Sequence, residues 1–231
     1  MNIFGDKNIF GIGYETYLEA YPDDPEIVGN PKVYLTYGSM YFWVNGKNLF
    51  QFKGWGQEAT YTADLTTIVE IFCQYLICYI KEDSFPIKSK SNTSIDIIEE
   101  TKLVEGPNDD ISGYANIDWN QVDMEERDAR DQWIENHGIL RHRDGSFLPD
   151  LFMRCINNQI EISWHNEFPY DVPNGELYFE YKKGVEYIDI TLFKKVIVDF
   201  CLHLINRYED LYPDVAKRDR ANLQKAIDFE V

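Results

Sequence analysis

Two periodicities divide the chain. Val33 to Tyr37 and Tyr41 to Val44 are β-branched and aromatic, and Asn45-Gly46 behind them is the pair that best accepts the positive φ angles of a type I′ turn. A hairpin closing onto Leu49 to Phe52 is expected. Farther on, Leu151, Met153 and Cys155 alternate with Phe152, Arg154 and Ile156, and beyond Asn157-Asn158 the residues Ile160, Ile162 and Trp164 alternate with Glu161, Ser163 and His165. Period two on both sides of a short polar turn predicts a second hairpin with one face buried. Leu177 to Tyr181 and Val185 to Ile188 read as further strands. The helical spacing is different. After Asp64, a good N-cap, the run LTTIVEIFCQYLICYIKE is apolar around most of its circumference, which predicts a helix packed on several sides. Phe193, Val196, Ile197, Phe200, Leu204, Tyr208 and Leu211 repeat at helical spacing up to Pro213, and a short charged helix follows from Asp214 to Asp228. Residues 1 to 32 read as a strand and then a surface loop around Tyr21-Pro22-Asp23-Asp24-Pro25.

The fold class expected from these patterns is α+β. Antiparallel hairpins should pack against two long apolar helices starting at Asp64 and Thr191, with an acidic helix at the edge. A chain of 231 residues is long enough for one full core, so a single domain, 1–231, is expected. The alternative partition is two sub-units, 1–88 and 112–231, joined by an acidic linker.

Charge narrows the function. A net charge of -18 disfavours a general nucleic-acid binder, because such binding replaces condensed counterions with Lys and Arg. The expected partner is a protein with a basic surface. Between Asp96 and Glu135 stand thirteen acids against three bases. Asp118 with Gln121 resembles a capping box for a helix ending at His137, with Gly138 as its C′ residue and His137 as a cation in the last turn. Cys73, Cys78, Cys155 and Cys201 lie in apolar surroundings and form no CxxC pair, which suits reduced thiols and a cytoplasmic setting. No stretch has the roughly 18 apolar residues of a membrane span. Gly11-Ile12-Gly13 lacks the third glycine of a dinucleotide fingerprint, so no cofactor is expected. Trp55, between Gly54 and Gly56, reads as a lid on the core before it reads as a ligand platform.

Three constellations compete for chemistry. His137, His142 and His165 with Asp144 or Asp150 have metal-ligand side chains, yet the five-residue step from His137 to His142 is not that of HExxH. Pro149-Asp150 followed by Glu161-Ile162-Ser163 is similar to a magnesium-holding PD…(D/E)xK arrangement, with Ser163 where a lysine belongs. A metal-dependent hydrolase using Asp150, Glu161 and His165 is therefore the alternative function. Nucleophilic catalysis lacks a GxSxG motif and an activated thiol. The third constellation is an acidic, aromatic surface comprising Tyr114, Trp119, Glu125, Glu126, Asp128, Trp133, His137, Arg141 and Arg143, rich in residue types common at interface hot spots. The same acids would also suit imitation of a DNA backbone.

The run Trp133, His137, Leu140-Arg141, Gly145, Leu148-Pro149-Asp150-Leu151, Arg154 and Ile160-Glu161-Ile162-Ser163-Trp164 resembles an amino-terminal accessory domain of bacterial proteins. In several of these an IrrE-type zinc-peptidase module follows, and their genes sit among phage-defence or toxin-antitoxin functions. This chain has no HExxH, so the resemblance implies only a recognition or inhibitory role in bacterial defence, and no catalytic residues.

Overall fold

The computed structural model describes residues 1–54, 56–101, 123–139, 148–166, 169–172 and 175–230. The chain opens with a hairpin, β1 (Asn2–Asp6) and β2 (Phe10–Thr16), followed by three short helices, α1 (Tyr17–Ala20), α2 (Pro25–Gly29) and α3 (Pro31–Tyr34). The expected single strand and loop are thus replaced by a hairpin and three helical turns. Asp24 accepts the Glu26 and Ile27 amides while Pro25 and Pro31 open α2 and α3, so prolines that looked like loop residues act as helix starts. Next come β3 (Tyr37–Val44), β4 (Lys47–Asn48), β5 (Gln51–Gly54), β6 (Gln57–Thr60) and β7 (Thr62–Asp64). Asn45 and Gly46 take φ of 48° and 78° as the turn requires, but β4 is only two residues long and β5 departs to another sheet. Trp55 lies outside the described residues.

Helix α4 (Leu65–Ile80) is capped by Asp64, whose carboxylate accepts the Thr66 amide. It touches α6, α7, α8, β3 and β8, as expected for a helix apolar on several sides. After α5 (Ser94–Glu100), helix α6 (Met124–His137) is capped by Asp123, not Asp118, which lies outside the described residues with Gln121. Gly138 is not left-handed: at φ -109° it runs on as an extended residue that bridges Phe152. Strands β8 (Leu151–Ile156) and β9 (Gln159–His165) form the second hairpin, with Asn157 and Asn158 at φ 50° and 60°. Then follow β10 (Tyr170–Val172), β11 (Gly175–Phe179), β12 (Lys183–Asp189), α7 (Ile190–Tyr208) and α8 (Pro213–Ile227).

The fold is α+β. Among the described residues all strand pairings within three sheets are antiparallel: β1-β2-β3-β4 with β7 on β3, then β10-β11-β5-β6, then β12-β9-β8. One cluster of buried side chains runs from Phe10 to Ala226, drawing on residues from both halves of the chain. No helix among the described residues is long and apolar enough to cross a membrane.

Two tryptophans lie flat on glycines. A Cβ on Gly13 would meet the Trp43 ring at 2.6 Å, and one on Gly184 would overlap the ring of Trp164, its partner across β12 and β9. Gly11-Ile12-Gly13 is therefore strand packing, its second glycine making room for an indole. Gly184→Ala should lower stability by about 1–3 kcal/mol through overpacking. Gly29→Ala, which meets nothing within 4 Å, should cost nothing. Urea unfolding of the two variants checks this, and equal midpoints would contradict it.

Candidate functional site

Alternation in β8 and β9 sends Leu151, Met153, Cys155, Ile160, Ile162 and Trp164 into the core and turns Arg154, Glu161, Ser163 and His165 to the other face. That second face was expected to meet solvent. Instead α5 packs on it, and Arg154, Glu161 and Ser163 are buried. Arg154 and Glu161 are register partners, each three residues out from Asn157-Asn158. The Arg154 guanidinium donates from Nε and Nη2 to Glu161 Oε2 at 3.2 and 2.9 Å, and from Nη2 to the Asn92 carbonyl at 2.6 Å. The other carboxylate oxygen, Oε1, accepts the Ser94 amide at 2.6 Å. With side chains 8% and 0% exposed, this is a closed ion pair that holds the first turn of α5. At the rim, His165 Nδ1 meets Glu99 at 2.5 Å and Lys183 meets Asp96 at 2.9 Å. The Thr93 hydroxyl, then Lys183, hold the Asp96 carboxyl below its ordinary range.

The alternative metal set fails on this arrangement. Asp150, Glu161 and His165 share a region, with the His165 amide bonded to the Asp150 carbonyl, but Glu161 has both oxygens committed to Arg154 and Ser94. Among the described residues no group of three or more His, Cys, Asp or Glu side chains is disposed to hold a metal ion. His142 and Asp144 lie outside the described residues.

Helix α6 is exposed along its first turns and buried toward its end. Glu125, Glu126 and Asp128 are exposed, as expected of an outward acidic side. Trp133 and His137 correct the expectation that they would face a partner: both are buried, one turn apart on the inner face. Their rings stack at 4.1 Å, and Phe85 meets the indole edge-on at 4.9 Å. Nearby, Arg130 donates to the Ile98 carbonyl at 3.1 Å and the Thr101 hydroxyl at 3.3 Å, tying α6 to α5. His137 Nδ1 lies 2.8 Å from the Trp133 carbonyl, which can only accept, so Nδ1 carries the proton. Burial lowers the pKa of this imidazole, and the Trp133 carbonyl only partly opposes that. His137 is therefore a neutral core ring, not a helix-end cation. Tyr114, Trp119, Arg141 and Arg143 lie outside the described residues.

Many acids of the charged segment hold the fold. Asp123 caps α6, Asp131 pairs with Arg130 at 3.2 Å, and Glu100 accepts from the Ser89 hydroxyl and the Lys90 and Ser91 amides, which lower its pKa to about 2. Arg154 is the residue whose role sequence reasoning missed. The signal was its mirror position to Glu161 about the turn. Compared with models of known protein families, with curated proteins and with solved structures, the chain matches none.

His137 gives a pH prediction. Its pKa is lowered from an ordinary 6.5, so as pH falls below that value the unfolded chain binds more protons than the folded one. The stability due to the neutral ring is complete above the ordinary value and is lost as pH falls through the folded value. Asp83 resists this loss and Arg154 reinforces it. Between about pH 7 and pH 5 the urea midpoint should fall more steeply in the native chain than in His137→Gln. Parallel slopes would contradict the assignment.

Proposed function

We propose that the chain is a non-catalytic recognition or inhibitory protein that binds a basic protein partner through the exposed carboxylates in the first turns of α6. One observation carries this reading: α6 turns Trp133 and His137 inward and leaves Glu125, Glu126 and Asp128 in solvent. A helix anchored by its aromatic side presents its carboxylates at a set position, which is what electrostatic steering of a partner uses. The closed Arg154–Glu161 pair supports the non-catalytic part, since the carboxylate a hydrolase would need is already bonded. Bacterial defence is the setting carried by the resemblance of the Trp133 to Trp164 stretch. A cytoplasmic location is supported by four free cysteines, three of them buried.

The test neutralises the face while keeping its shape, with Glu125→Gln, Glu126→Gln and Asp128→Asn in one variant. Affinity purification with the native chain should recover a partner whose binding weakens as salt shortens the Debye length. The neutralised variant should lose it. Recovery of the same partner by both, or turnover of DNA, RNA or peptide with magnesium or manganese, would contradict the reading. Duplex DNA displacing the partner would move it to phosphate-backbone mimicry.

A further inference from the structure

Helices α1, α2 and α3 contribute one buried side chain, Ile27, although they pack on one another and on β3. What they leave outside is unusually apolar. Among the described residues eleven large hydrophobic side chains are exposed, and four of them fall here: Tyr21 at 54%, Val28 at 51%, Val33 at 60% and Tyr37 at 36%. Tyr17 ties the group together. Its ring meets those of Tyr21 and Tyr37 edge-on at 5.5 and 5.2 Å and stacks on Tyr34 at 6.1 Å. Tyr17 and Tyr21 thus join Tyr34 and Tyr37 in one surface cluster, and clustering of exposed apolar side chains marks an interaction site where scattered ones do not.

The charge around the rings identifies the partner. From Tyr17 to Tyr37 the chain carries Glu19, Asp23, Asp24 and Glu26 against Lys32. Glu19 is paired with Arg207 at 2.5 Å and Asp24 caps α2. Asp23 and Glu26 remain exposed, Glu26 accepting the Tyr34 hydroxyl at 3.3 Å. Negative charge beside tyrosine rings repels phosphate and anionic lipid headgroups. It attracts a cation that can also lie flat on an aromatic face. Arginine does both, because its guanidinium is planar, weakly hydrated and able to fork onto a carboxylate, whereas a lysine ammonium keeps its water. Tyrosine and arginine are also the side chains that most often carry interface energy.

We propose that the face formed by Tyr17, Tyr21, Tyr34 and Tyr37 docks an arginine-bearing segment of a protein partner, with the guanidinium against the tyrosine rings and bonded to Asp23 or Glu26. This surface is built from other elements than the acidic face of α6 and depends on ring contact as well as charge. The two readings therefore stand or fall separately.

The probe is a capped hexapeptide of alternating arginine and leucine, titrated into the full chain by calorimetry beside its lysine and citrulline counterparts. The arginine peptide should bind, the lysine peptide about tenfold more weakly, and the citrulline peptide not at all. Tyr21→Ala with Tyr37→Ala should weaken the arginine peptide about tenfold while the matching Phe variants retain it. Neutralising Glu125, Glu126 and Asp128 should leave it unchanged. Should the alanine variant fail to fold, Asp23→Lys with Glu26→Lys decides the matter: both side chains are exposed, a repelling charge replaces each carboxylate, and binding should drop. Equal affinity for arginine and lysine peptides, full binding by Asp23→Lys with Glu26→Lys, or loss of binding on neutralising α6 would each overturn the proposal.

Discussion

The outer side of the β8–β9–β12 sheet depends on one buried ion pair. Taking Arg154 and Glu161 out of water costs several kcal/mol per ion, and the pair survives because both carboxylate oxygens accept from protein donors. Arg154 supplies two donors and Ser94 a third. Because the third comes from the first residue of α5 and the guanidinium also grips the Asn92 carbonyl, the pair fastens that helix to the sheet. From there the constraint passes along Arg130, which reaches the Ile98 carbonyl and Thr101 hydroxyl and so seats α6. Glu125, Glu126 and Asp128 thus stand on a helix that the sheet holds in part through α5.

This explains why the site was only half legible. Period two at residues 151–156 and 160–164 located the hairpin, and Asn157-Asn158 supplied its turn. Yet alternation looks the same whether the polar side chains face water or each other, so the covered face read as exposed. Trp133 and His137 misled in a related way. On a helix this polar a lone tryptophan looks like surface, and only the four-residue step to His137 marks an inner stripe. By contrast, the Asp64 cap, the many-sided apolar run of α4 and the Pro213 break were legible because each is a local rule. The three helical turns between Tyr17 and Tyr34 are too short to show any period, and contacts such as Tyr17 with Tyr37 join positions no pattern connects.

The surplus of acid divides into working parts. Asp24, Asp64, Asp123 and Asp189 cap helices, and Glu161 and Asp219 are buried with partners. Glu19 and Glu186 staple distant segments through Arg207 and Lys47. Glu125, Glu126 and Asp128 on α6, and Asp23 and Glu26 near the tyrosines of α1 and α3, are among the acids that remain exposed. The closed interior of the sheet offers no free carboxylate at Glu161 for chemistry.

The most direct test of that central pairing is a double-mutant cycle, Arg154→Met and Glu161→Leu, singly and together, followed by urea unfolding. Each single change strands a buried charge and should cost about 3–5 kcal/mol. The double variant should lose clearly less than the sum, with a coupling of about 2 kcal/mol or more. Additive losses, or a near-neutral Glu161→Leu, would contradict the account.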